Sequence, residues 1–225
     1  MSLALRSPDL RRTRVAEEAG RVGRQRVDAI EAMETCKAIR RFKPDPVPQE
    51  LILRVLAAAN CAPSPGNSQG WQFVVVCDRE TKQRFSDAFY PMLRARWRDD
   101  ELVDGQPNAR MYRGVLELAK NMADVPAFIA VCGLATFQDE QHDPMRLLMT
   151  SLYGVTQNLL LAARALGLGT TLTMFHEINE ALLKTSLGIP DRARVAALVP
   201  IGWPAERFTR VKRHSLDGLV HWDHW

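Results

Sequence analysis

The sequence has no run of about 18 consecutive apolar residues, so a helical membrane span is not expected. Cysteine is scarce: Cys36, Cys61, Cys77 and Cys132 are the whole complement, and none forms a Cys-x-x-Cys pair. That spacing offers neither a disulfide framework nor a zinc site. All four lie in or beside apolar segments, so buried free thiols in a reducing, cytoplasmic setting are expected. There is no His-Glu-x-x-His, no P-loop, and no Gly-x-Gly-x-x-Gly after a strand, which removes the common zinc-hydrolase, nucleotide-triphosphate and dinucleotide readings. His221 and His224 read as surface residues, and no metal ligands are assigned. Internal repeats are absent.

What is present is an ordinary globular composition, 46% hydrophobic, with a formal net charge of +4. Much of the positive surplus lies in the first 26 residues, and residues 1–27 are read as a basic N-terminal extension. A solvated arm is expected there, in preference to a nucleic-acid or membrane contact. No apolar core follows the basic start, so a secretory signal is not expected, and Asp9, Glu17 and Glu18 argue against a transit peptide.

Residues 28–36 read as a helix capped by Asp28, with Glu31 three residues on. Pro44, Pro46 and Pro48 break the chain before a second helix, where Leu51, Ile52, Val55, Leu56 and Ala59 share one face. Residues 71–77 (WQFVVVC) read as a strand apolar enough to be central, followed by helices near 79–97 and 108–124. The polar stretch 99–110 reads as either a connector or a substrate lid. A second strand is expected over 126–133, a long central helix over 143–166, a short extended piece over 170–174, a helix over 177–187 and a third strand over 195–203. Gly167 and Gly169 follow a helix, so they mark its end and not a nucleotide fingerprint. The order is a mixed α and β architecture with several helices per strand.

Two basic segments far apart in sequence, KAIRRF at 37–42 and VKRH at 211–214, carry cations that can converge on one anion. Proline-stiffened APSPGNSQGW at 62–71 offers amides and a hydroxyl that suit either a flat heterocycle or a plain Asx-type turn, with Trp71 anchoring the loop. Asp139, Glu140 and Asp143 read as solvated carboxylates. Cation pockets without an evident nucleophile and base point to a bound cofactor, and no catalytic side chain is assigned.

At these residues the sequence resembles the nitroreductase family. Four blocks carry the likeness in the family's order: CKAIRRF with the following PVP (36–48), APSPGNSQGWQFVVV (62–76), QNLLLAARALGLGTT (157–171), and PIGWPAE with KRHSLDGLVHW (200–222). The resemblance implies an α+β nitroreductase-like domain over 28–225, a mostly antiparallel central sheet surrounded by helices, in an intertwined homodimer. It implies FMN held without a covalent link at the dimer interface. Cys36, Lys37, Ala38 and Arg40 then hold the phosphate and one flavin edge, with Arg40 at the pyrimidine edge and Lys37 near the phosphate or ribityl chain. Arg213 matches a phosphate cation, Pro63, Ser64 and Asn67 the loop contacts, and Leu172, Thr173 and Met174 the segment facing N5. The implied activity passes reducing equivalents from NADH or NADPH to a small acceptor (nitroaromatic, quinone or activated enone) in ping-pong order. Dehalogenase, benzimidazole synthase and non-catalytic flavin-storage members are alternatives. This chain departs from the family pattern at Cys36, Lys37 and Ala38, where Arg-Arg-Ser is frequent, at Gly70, where proline is usual, and at Met174, where some members have an acid.

Overall fold

The computed structural model describes residues 27–134 and 143–225; the basic arm and the Asp139–Glu140 stretch lie outside them. The chain opens with α1 (Ala29–Thr35), whose first turn is closed by the Asp28 carboxylate accepting from the Glu31 amide at 2.8 Å. Helix α2 (Gln49–Ala59) starts behind Pro48 and buries Ile52, Val55 and Ala59. Then come β1 (Trp71–Val76), α3 (Arg79–Arg94), α4 (Ala109–Lys120) and β2 (Ala127–Gly133). Helix α5 (Pro144–Ala165), β3 (Gly169–Thr170), α6 (Glu180–Leu187) and β4 (Arg194–Gly202) complete the order.

Among the described residues the strands form one sheet in the order β1-β2-β4-β3, with every pairing antiparallel. The architecture is therefore α+β. Strand β2 lies inside the sheet and is buried along its whole length. Its alternation serves two cores: Ile129 and Val131 face α2 and α5, whereas Phe128, Ala130 and Cys132 face α3 and α4 with Phe85 and Phe89. No helix among the described residues is long and apolar enough to cross a membrane.

Four expectations need correction. Strand β1 is an edge strand, with Phe73 packed against one core and Val74 against the other. Its apolar run reports cover over both faces, which does not require a strand on both sides. The extended piece ends at Thr170, and the helix expected from residue 177 starts at Glu180, where Asn179 accepts from the Leu182 amide. Only Cys132 is a buried thiol; Cys36 is half-buried, and Cys61 and Cys77 are exposed where α2 and β1 run out toward solvent.

Candidate functional site

Helix α5 ends in a Schellman turn: Gly167 takes φ 77°, its amide donates to Arg164 O, and the Leu168 amide donates to Ala163 O at 2.8 Å. The turn delivers Gly169, where an added Cβ would lie 2.7 Å from Cγ2 of Ile39. Glycine there lets the 37–43 segment lie flat on the sheet. Ile39 is wholly buried and donates its amide to Thr170 O at 2.8 Å. Phe42 bridges to Pro204, Lys43 donates to Trp203 O, and Ala205 donates to Arg41 O. With Ile39 turned inward, the extended chain turns Arg40 toward the other side.

On that side lies a cleft of about 780 Å³, within the usual range for small-molecule sites. Cys36, Lys37, Ala38 and Arg40 line it from one strand-like segment, and Lys212 and Arg213 from the tail. The sequence expectation that these two distant basic segments meet is thus met. Helix α4 supplies Arg110, Met111 and Gly114; a Cβ on Gly114 would stand 3.3 Å from Cδ of Arg40, so glycine makes room for the arginine stem.

The cations of the cleft divide into two sets. Lys37 pairs with Glu206 at 3.4 Å, Arg41 forks onto Glu117 at 2.7–2.9 Å, and Arg210 meets Glu34 at 2.8 Å. The Arg41 fork holds the Glu117 carboxyl below its ordinary range, by hydrogen bond first. Arg40, Arg110, Lys212 and Arg213 have no carboxylate partner among the described residues. Burial pushes the Arg40 guanidinium down from its ordinary value, with the Glu206 charge opposing. Four cations without an ion-pair partner around one cleft favour an anionic group there.

Arg40 and Met111 also line an adjoining cavity of about 300 Å³. Its walls include Trp97, Phe175 and the 172–174 segment. Thr173 is buried and donates its hydroxyl to Leu198 O at 2.5 Å, while Leu172 and Met174 on either side are exposed. Residues 99–110 begin with a 3-10 turn (Asp99–Leu102) and are tied by ion pairs from Arg94 to Asp99, Arg98 to Asp100 and Arg113 to Asp104.

Pro63, Ser64 and Asn67 line neither of these cavities. Their loop is a compact turn: Ser64 Oγ accepts from the Gln69 amide, and Asn67 and Gln69 take positive φ. Trp71 is buried as expected and donates Nε1 to Asn60 Oδ1 at 2.7 Å. Residues 66–70 (GNSQG) also spell Gly-x-Ser-x-Gly. Here the motif runs from a 3-10 turn into a strand, the reverse of the strand-to-helix elbow that exposes a nucleophile.

One supporting residue escapes sequence reasoning. Arg164 on α5 is buried, donates Nε to Thr35 Oγ1 at 2.8 Å, and lies 4.2 Å from the Phe208 ring centre. It joins the end of α1, just before the cleft's first block, to the segment leading into the tail. A long helix ending in arginine gives no sign of this contact, which exists only in three dimensions.

A model of the nitroreductase family matches residues 35–203. An NADH dehydrogenase of Thermus thermophilus is 27% identical over 213 residues, covering 87% of this chain and 96% of that protein. The 5,6-dimethylbenzimidazole synthase of Rhodospirillum rubrum is 31% identical over 184 residues, covering 80% and 83%. In fold, the chain resembles an oxidized iodotyrosine deiodinase bound to FMN and 3-iodo-L-tyrosine, with a TM-score of 0.70 and 21% identity over 88% of this chain and all of that one. The match spans the sheet, both cores and the first basic block, and by it the chain belongs to the nitroreductase family.

Proposed function

We propose that the protein is an FMN-dependent oxidoreductase that moves reducing equivalents from NADH or NADPH to a small acceptor, working as a homodimer. The observation that carries this reading is the meeting of four unpaired cations on one cleft that opens, at Arg40, into a cavity walled by aromatic side chains. The donor set fits FMN: a phosphate dianion suits Lys212, Arg213 and Arg110, and Lys37 suits the ribityl chain. Arg40, at the junction of the two cavities, suits the carbonyl-bearing pyrimidine edge. A planar fork bridges two acceptors there and stays charged. Cys36 and Ala38 border the same cleft but supply no charge, so the tail cations carry more of the phosphate. When bound, FMN supplies a two-electron carrier between nicotinamide and acceptor.

Leu172, Thr173 and Met174 form the wall beside the reacting edge, with Thr173 locked by its bond to Leu198 O. Arg40, a fixed charge in a partly dry site, would offset negative charge on a bound, reduced flavin. Pro63, Ser64 and Asn67 reach the flavin from the partner copy, because their loop lies off the cleft of its own chain. An exposed apolar tail supports an exchange of segments between copies: Leu216, Leu219, Val220, Trp222 and Trp225 are all exposed, Trp222 to 85%. The name of the Thermus thermophilus relative, an NADH dehydrogenase, supports the nicotinamide donor.

The test is direct. Purified protein is yellow, bleaches with NADPH or NADH, and recovers colour with a quinone. Yellow protein that does not bleach supports a storage role, and colourless protein that FMN cannot restore overturns the proposal. Initial rates at several acceptor concentrations give parallel reciprocal lines for a shared slot; intersecting lines refute the ping-pong order.

A further inference from the structure

We propose that the acceptor is an anionic aromatic, a flat ring bearing a carboxylate or similar group, whose charge is met by Arg96. The inference rests on the flavin reading above and specifies the substrate class of that site. Around the 99–110 stretch the arginines are used unequally. Arg94, Arg98 and Arg113 each pair with a nearby acid, Asp99, Asp100 and Asp104 respectively. Those pairs also consume most of the local carboxylates. Arg96, just before this stretch, has no carboxylate partner among the described residues, as Arg110 has none on the side of the larger cleft. Its backbone is held by its amide donating to Leu93 O at 3.0 Å, and its side chain is exposed.

Arg96 lines the 300 Å³ cavity that Arg40 also lines. The other lining residues are mostly apolar or aromatic, among them Leu93, Trp97, Met111, Val115, Phe175 and Ile178, with Thr171 and Thr173 the polar exceptions. Trp97 is itself held by stacking on Tyr112, with ring centres 4.7 Å apart. A space of this size, mostly apolar and lined by a second cation, accommodates a single ring bearing an anionic group. In the flavin reading Arg40 serves the cofactor, which leaves Arg96 for the acceptor. For a nitroaromatic carboxylate the balance is ArNO2 + NAD(P)H + H⁺ → ArNO + NAD(P)⁺ + H2O. The nicotinamide is oxidised by two electrons, the nitro group is reduced by two, and one nitrogen–oxygen bond breaks with its oxygen leaving as water.

The experiment compares benzoate with benzamide, which share a shape and are not reduced, by calorimetry on the flavin-loaded protein and by the change each makes in flavin absorbance. Benzoate binds more tightly. Arg96→Gln lowers its affinity about five- to tenfold, a range set by a charge-assisted bond discounted for exposure. Arg96→Lys restores part of the preference, and Arg98→Gln, at an arginine already paired with Asp100, preserves it. The ratio of kcat/KM for 4-nitrobenzoate over nitrobenzene falls in the same order. Equal binding of benzoate and benzamide, or a preference untouched by Arg96→Gln, overturns the proposal. Benzoate preference that depends on Arg96 in a protein that takes up no flavin overturns the flavin reading instead, and neither binding event overturns both.

Discussion

Replacing Arg40 with methionine is expected to move the stability of the free and flavin-loaded protein in opposite directions. The guanidinium is partly desolvated, has no carboxylate partner among the described residues, and its stem lies against Gly114. Methionine keeps most of the stem packing and removes the desolvated charge. Taking away this partly desolvated cation, which the Glu206 charge offsets only in part, stabilises the free protein by on the order of 1 kcal/mol, a rise of about 2–4 °C in Tm for a chain of this size. With FMN present the sign reverses, because bonds from a charged donor to the cofactor are lost. Those contribute about 1.5–3 kcal/mol, so FMN affinity falls roughly 10- to 150-fold. The assays are differential scanning fluorimetry with and without FMN and a fluorescence-quenching titration of the flavin. A lower Tm for the free variant combined with FMN affinity within about twofold of wild type would refute the placement of Arg40.

Arg164→Leu removes the bond to Thr35 Oγ1 and the contact with Phe208, and a loss of about 2–3 kcal/mol in urea unfolding is expected; an unchanged midpoint contradicts the bridging role. His176 is buried, and its ring nitrogens lack hydrogen-bond partners although Nε2 stands 3.3 Å from Glu177 Oε1. Burial holds its pKa below the ordinary 6.5, with Glu177 and Glu180 opposing. The unfolded chain therefore takes up the proton first as pH falls, so stability present above pH 6.5 declines below it. His176→Phe should flatten that decline in denaturation curves at pH 7.5, 6.5 and 5.5, values on the order of the imidazole range; parallel declines contradict it. Iodoacetamide is expected to label exposed Cys61 and Cys77 first and Cys36 more slowly, its thiol raised mainly by burial. Cys132, pushed up to about 12 by burial, should stay unlabelled in the native protein, and mass spectrometry finding it modified first contradicts the core placement.

What the sequence made legible is what local chemistry controls. Asp28 caps α1, the Leu51–Ala59 stripe forms the buried face of α2, and Gly167 ends α5 because each depends on residues within one or two turns. The cleft was partly legible as well, since cations at 37–40 and 212–213 have little reason to cluster except around an anion. Strand order was not legible. The Val74–Val76 run reads the same whether one or two strands flank it, and β3 is too short to produce a period. Exposure at Cys61 and Cys77 depends on where elements end against solvent, which apolar neighbours do not reveal. The 63–67 loop was recognised by composition, but its distance from the cleft of the same chain appears only once the chain is folded. Arg96 and Arg164 carry no motif at all; one is identified by the pairs its neighbours make, the other by its partners across the core.

The central claim is that one flavin site is completed by two copies of this chain. Sedimentation velocity monitored at the flavin absorbance tests it in a single run, because it reports colour and mass together. The account predicts that the yellow boundary moves as a species of twice the 25.4 kDa chain. Colour left unsedimented, or moving with a single chain, would contradict it.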